Sequence, residues 1–272
     1  MNLKHWLLSG ALGVGVSLAG SAAQASCSNL PGWSELKSAL QNAVVANNGG
    51  LGFHMWGTLV DIDGTVCAVA FSGSNFTAQW LGSRVISAQK ANTANDFSLG
   101  KGLTPPTSLF PGGLALSTAN LYSAVQPGGS LFGLQFSNPV DTKVAYNNGQ
   151  DDGDAFSFGT PNDPMVGRRI GGVNVFGGGL ALYAGGIRVG GVGVSGDTSC
   201  TDHSVAWRVR HGLGLDKFAT VGGVSGDPAR PDNIIFDIKP NPNGGTGISA
   251  GGFGHPTCIN TPDVSKLPPV SH

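Results

Sequence analysis

Four of the six histidines of this 272-residue chain stand where they could do chemistry: His54, His203, His211 and His255. His54 sits beside Trp56 in an aromatic, β-branched run. His203 and His211 are eight residues apart, slightly more than two helical turns, and so share roughly one helix face. His255 lies in Gly254-His255-Pro256. No two of them have the tight spacing of a metal site, and the chain has no Cys-x-x-Cys pair. Each also has a plain structural reading: a sheet face for His54, a first helical turn for His203, a helix's negative end for His211, a tail contact for His255.

Other reactive types are less promising. Ser195, in Gly193-Val194-Ser195-Gly196-Asp197, lacks the Gly-x-Ser-x-Gly of a nucleophile elbow because a glycine follows the serine directly. Asp202-His203 downstream does not supply a triad by itself. Asp61/Asp63 and Asp151/Asp152 are turn and loop carboxylates with no further glycosidase signal. Gly177-Gly178-Gly179 is not followed by Gly-Lys-Ser/Thr and is no phosphate loop. It can admit a close approach of backbone or ligand.

These residues need elements to hold them. Trp33, Leu36, Leu40 and Val44 recur at three- and four-residue steps, predicting a helix over 31–47 that stops at Asn47-Asn48-Gly49-Gly50. Two apolar runs, 53–61 and 65–71, flank Asp63-Gly64 and predict a hairpin. Residues 79–95 predict a second helix with few bulky side chains, so another element can approach it closely. Residues 98–170 are dense in Gly, Pro, Asn and Asp; 115–125 reads as a short helix and Asn147–Asp154 as a solvated acidic loop. Strand character returns over 173–194 as a second hairpin. A third helix over 201–212 is expected to be capped by Asp197 through Asp202. The tail from Lys217 should wrap the surface, with 234–238 as an edge strand. Helix, hairpin, helix, insertion, hairpin, helix and tail make an antiparallel sheet with helices on its faces, in one domain.

The first 25 residues read as a cleaved signal peptide: basic Lys4 and His5, an apolar run from Trp6 to Gly20, and Ala23-Gln24-Ala25 as cleavage site. The apolar run is short and glycine-rich for a membrane span. A periplasmic or secreted location follows, with no membrane contact after cleavage. The whole chain carries a formal charge of −1, and removing Lys4 makes it slightly more acidic, which disfavours nucleic acid. Cys27, Cys67, Cys200 and Cys258 form an even set in an exported chain, which favours two disulfides. Of the three pairings, Cys27–Cys67 with Cys200–Cys258 is preferred, because Cys258 lies in a tail that needs tying down.

Three blocks carry a resemblance. Gly57-Thr58-Leu59-Val60-Asp61-Ile62-Asp63-Gly64 resembles the V-V-D-x-x-G turn of the GlcG/HbpS-type haem-binding family, or haem-degrading domain. Ser87 to Ala94 resembles its A-x-x-K-A-x-T-A helix. Gly178-Gly179-Leu180-Ala181-Leu182 with Val189 to Gly196 resembles its G-G-x-P-[IV] … V-G-A-[IV]-G-V-S-G signature, with Ala181 in place of the proline. The blocks fall in family order and cover roughly 34–100 and 171–214.

The resemblance implies an α+β, profilin-like α/β/α domain over 26–216 with a five-stranded antiparallel sheet; the loop insertion at 101–170 and the Gly/Pro-rich extension at 217–272 are departures from the family pattern. It implies haem as cofactor, in storage, sensing or scavenging, and a homo-oligomer. Haem needs an apolar slot, an axial ligand and cations for two propionates. Arg84 and Lys90 are the expected cations, Ser87 and Thr93 their polar neighbours, and Gly178 and Gly179 the close-approach wall. His54 and Tyr183 join His203, His211 and His255 as possible axial ligands. The alternatives are a structural or oligomerisation module that kept the fold without haem, and an enzyme on a small metabolite beside Lys90.

Overall fold

The computed structural model describes residues 27–146, 155–245 and 247–272. The expected signal peptide and the acidic loop at 147–154 lie outside the described residues.

The first helix, α1 (Trp33–Val44), turns Leu36, Leu40 and Ala43 inward. β1 (Trp56–Asp61) and β2 (Val66–Phe71) form the expected antiparallel hairpin around Asp63-Gly64. Gly64 has φ +82°, a conformation that glycine adopts without steric cost. α2 (Gly82–Asp96) follows. The insertion carries only short elements: β3 (Leu114–Ala115), α3 (Leu121–Ala124) and α4 (Thr142–Ala145). The second hairpin is β4 (Gly179–Ala184) and β5 (Ile187–Ser195), and α5 is Ser199–Gly212. The tail adds β6 (Gly222–Gly223), β7 (Ile238–Lys239) and β8 (Ile248–Ser249).

Among the described residues the main sheet has four strands in the order β2-β1-β5-β4, all antiparallel. The five strands expected are therefore not seen. At the free edge of β4 the chain at 215–217 makes one parallel bridge: Tyr183 N donates to Leu215 O (2.8 Å) and Lys217 N to Tyr183 O (3.2 Å). The segment 234–238 is no edge strand of this sheet either; β7 pairs with β8 instead.

Alternation along the strands sorts the two faces. Met55, Leu59, Val192 and Val194 pack with Leu36 and Leu40 of α1 and with Val205 and Val209 of α5. Trp56, Val60 and Val69 pack with Val85, Ala88 and Ala91 of α2. Fully burying each such aliphatic side chain contributes about 1.5–3 kcal/mol. On the α2 face β5 presents glycine. A Cβ on Gly193 would lie 1.9 Å from Ser87 O, and one on Gly191 2.2 Å from Ala91 O. The small residues of α2 thus meet a strand without side chains, the close approach that the sequence predicts.

The insertion covers the other side of α2, where Ala145, Met165 and Ile170 join its core cluster. This third layer explains why α2 is buried nearly all round. The tail contributes Phe218, Val221, Leu267 and Val270 to the core around Tyr183 and Trp207. Both preferred disulfides form, Cys27–Cys67 and Cys200–Cys258. The cap of α5 differs from expectation: Thr198 Oγ1 accepts from Thr201 N, and Asp202 Oδ1 instead accepts from Asp197 N (2.9 Å). No helix of the described residues is long and apolar enough to cross a membrane.

Candidate functional site

Arg84, Ser87, Lys90 and Thr93 all lie on α2, Gly178 and Gly179 lie at the start of β4, and each of the four α2 side chains finds its own partners within the protein. Lys90 Nζ bonds Asp202 Oδ2 (2.6 Å) and Val194 O (3.1 Å), and lies 4.2 Å from the Phe176 ring centroid. Neither Lys90 nor Asp202 has accessible surface. Burial pulls the Lys90 ammonium below its ordinary range and pushes Asp202 up to about 6, while each partner's charge opposes the other's shift.

Arg84 is equally engaged. Its Nε and Nη2 grip Asp163 at 2.8 and 2.5 Å, Nη1 donates to Ala145 O (2.9 Å), and the guanidinium lies 4.0 Å from the Phe158 ring centroid. All three partner residues belong to the insertion. Ser87 Oγ is shared between Thr58 Oγ1 and Arg84 O, both at 2.7 Å. Thr93 Oγ1 donates to Gln89 O (2.7 Å) and accepts from Asn174 N (2.9 Å).

The glycine wall is filled from within. A Cβ on Gly178, at φ +116°, would lie 2.3 Å from Val194 O and 3.0 Å from Lys90 Nζ; one on Gly179 would lie 2.4 Å from Lys90 O. The close approach there is made by protein. Tyr183 is buried against Phe218, its hydroxyl 3.4 Å from Leu99 O and Leu114 O, and burial raises its pKa. The interior slot therefore does not fit a haem: its cations are paired, its walls touch, and Lys90 offers no accessible amine to a metabolite.

The histidines separate clearly. His203 is fully buried beside Asn233 and Trp207, and burial pulls it down to about 4. His255 is also buried and pulled down to about 4 by the same cause. His54 is exposed, with Nδ1 3.2 Å from Ser72 Oγ and its ring edge-on to Phe71.

His211 is different. It lines a surface groove of about 660 Å³ between α1 and α5, with Ala39, Ala43, Arg208, Gly212 and Leu213. Its Nδ1 lies 2.6 Å from Asp216 Oδ2. An ionised carboxylate can only accept, so in the neutral imidazole Nδ1 carries the proton and Nε2 holds the free lone pair. Nε2 has no hydrogen-bond partner among the described residues. A carboxylate behind a histidine is the arrangement that fixes tautomer and orientation at metal centres. One turn back, Arg208 bonds Asn48 Oδ1 through Nε (3.1 Å) and has no ion-pair partner among the described residues. The groove's acid is Glu35. Sequence reasoning missed Arg208 and Asp216; the signal available was an acidic residue five positions after His211, just past the helix end.

No family model and no curated protein matches the chain. Among solved structures it is similar to the PduOC:Heme complex, at 20% identity and TM-score 0.40, over 66% of this chain and 90% of that one. It is similar to Klebsiella pneumoniae protein ORFY, of family DUF336, at 21% identity and TM-score 0.41, over 72% and 97%. A Streptomyces reticuli HbpS double mutant is similar at 15% identity and TM-score 0.40, over 77% and 99%.

Proposed function

We propose that the chain is an exported haem-binding protein that takes haem in the surface groove between α1 and α5, with His211 as axial ligand. The observation that carries this reading is the 2.6 Å contact between His211 Nδ1 and Asp216 Oδ2 on the wall of a groove of about 660 Å³. That volume is within the range of small-molecule and cofactor sites. Ala39, Ala43 and Gly212 give the groove small walls, which suit a flat macrocycle. Arg208 is its unpaired cation for a propionate. Haem bound there would supply an iron centre; the chain's residues supply the ligand, its orientation and the counter-charge. An open groove with one such ligand suits reversible carriage, in storage or scavenging, better than a permanently enclosed redox cofactor.

The test is hemin titration of the oxidised mature protein, followed at the Soret band. Saturable one-to-one binding that survives His54→Ala and is lost in His211→Ala supports the reading. A featureless titration, or loss only in His54→Ala, overturns it.

A second reading, a module that kept the fold without haem and acts by self-association, is favoured by a different observation. Phe53 and Trp80 stack edge-to-face at 5.5 Å with 40% and 54% of their surfaces exposed, beside Leu81 at 58%. Exposed aromatic pairs of this kind suit subunit packing. A concentration-dependent mass that falls on Trp80→Ser would favour it.

A further inference from the structure

At the opposite end of α5 from the groove, Ser199 Oγ lies 2.7 Å from His255 Nε2. His255 Nδ1 lies 2.6 Å from Pro256 O. A carbonyl oxygen only accepts, so Nδ1 bears the imidazole proton and Nε2 is the acceptor. Ser199 Oγ meanwhile accepts from Gly177 N (2.7 Å), which leaves its own proton to be donated to Nε2. The hydrogen bonds thus select one tautomer and one direction of donation, those of a nucleophile and its general base. The Tyr122 ring, 4.8 Å away, packs against the imidazole.

Three further features set this pair apart from a chance contact. The Cys200–Cys258 disulfide joins the residue after Ser199 to a residue three positions beyond His255, fixing the two segments together. Ser199 is the first residue of a fourteen-residue helix, where the positive end of the helix dipole favours developing negative charge. The Ser199 N–H has no hydrogen-bond partner among the described residues, and a backbone N–H of that kind can receive an oxyanion. Ser199 itself is partly exposed, whereas His255 is 3% exposed.

We propose that Ser199 and His255 form an acyl-transfer dyad, oriented by the Pro256 carbonyl, that acts on small carboxylic esters. Ser199 Oγ attacks the ester carbonyl carbon as its proton passes to His255 Nε2. The ester C–O bond breaks, and the leaving alkoxide takes that proton. Water then attacks the acyl-serine by the same route, releasing the acid and restoring the serine. No other reactant is needed. The pair is about 18 Å along α5 from His211, so it stands or falls apart from the haem reading.

The experiment is exposure of the haem-free, oxidised mature protein to a fluorophosphonate, with intact mass and peptide mapping, alongside hydrolysis of p-nitrophenyl acetate. One adduct per chain, mapped to Ser199, is expected. Ester hydrolysis should fall about a hundredfold in both Ser199→Ala and His255→Ala, in line with loss of a general base. No adduct, or an adduct mapped elsewhere on the wild-type chain, overturns the proposal without reliance on how well either variant folds.

Discussion

Lys90 and Asp202 close on each other at 2.6 Å across the α2–α5 layers, both without accessible surface. The pair ties the third sequence block to the second, because Lys90 also bonds Val194 O in β5. Removing one partner leaves a buried, unpaired charge, which costs about 3–5 kcal/mol. Lys90→Met and Asp202→Leu alone should each lower the unfolding free energy, read from urea denaturation, by that much. The double variant should recover part of the loss, because neither charge is then left buried alone, while the Asp197 N–H still lacks its Asp202 Oδ1 acceptor. A double variant no better than the singles would show that the pair is held for reasons other than charge compensation.

Much of this architecture is legible in the sequence. The Asp63-Gly64 hairpin, the stop at Asn47–Gly50 and the small-residue face of α2 are local patterns, and local patterns decide local structure. What cannot be read is which partner a distant residue finds. Arg84 and Asp163 are 79 positions apart in a Gly/Pro-rich stretch without periodicity, so nothing local marks the carboxylate that occupies the expected propionate cation. The interior slot is closed by the insertion and by Phe176, and their packing is a tertiary outcome. Nothing local singles out His211 among the four histidines, because its setting depends on Asp216, which meets it only after the chain reverses beyond Gly212.

The His211–Asp216 pair predicts a graded response in the haem titration. Asp216→Asn keeps the shape but no longer supplies a carboxylate to hold the imidazole proton, and loss of such a supporting group costs about 10–100-fold in metal affinity. Arg208→Ala removes one half-buried counter-charge at the groove surface worth about 1 kcal/mol, or roughly fivefold. Its effect should shrink at high salt, whereas that of Asp216→Asn should not. Equal salt sensitivity would remove Arg208 from the site.

β5 predicts a steric limit. Gly193 is packed so tightly on α2 that a methyl group would overlap Ser87 O at 1.9 Å, a backbone atom that no rotamer change can move. Gly193→Ala should therefore cost at least about 3 kcal/mol, the upper range for overpacking. Gly214, whose added Cβ would meet nothing within 4 Å, is the control for space alone, since its φ of +66° still carries the modest cost of a left-handed alanine. A Gly193→Ala variant with an unchanged unfolding midpoint would mean that α2 does not sit this close.

Three buried groups set the acid stability. His203 and His255 are each pulled down to about 4 in the folded chain from 6.5, and Asp202 is pushed up to about 6 from 3.8, burial being the largest cause in all three. As pH falls from 6.5 towards 4, the unfolded chain takes up two histidine protons that the folded chain refuses, which lowers stability. Over nearly the same window the folded chain takes up one proton at Asp202 that the unfolded chain does not, which raises it. The histidines win by about one proton, so these groups should cost about 1.4 kcal/mol per pH unit at the steepest point. Urea midpoints should fall steadily between pH 6.5 and 4.5. Replacing both histidines by glutamine should reverse the sign of that slope, because the carboxyls of Asp202 and Asp96, both raised by burial, then remain. A midpoint in the parent protein that is flat or rising on acidification would show that His203 and His255 are protonated while buried.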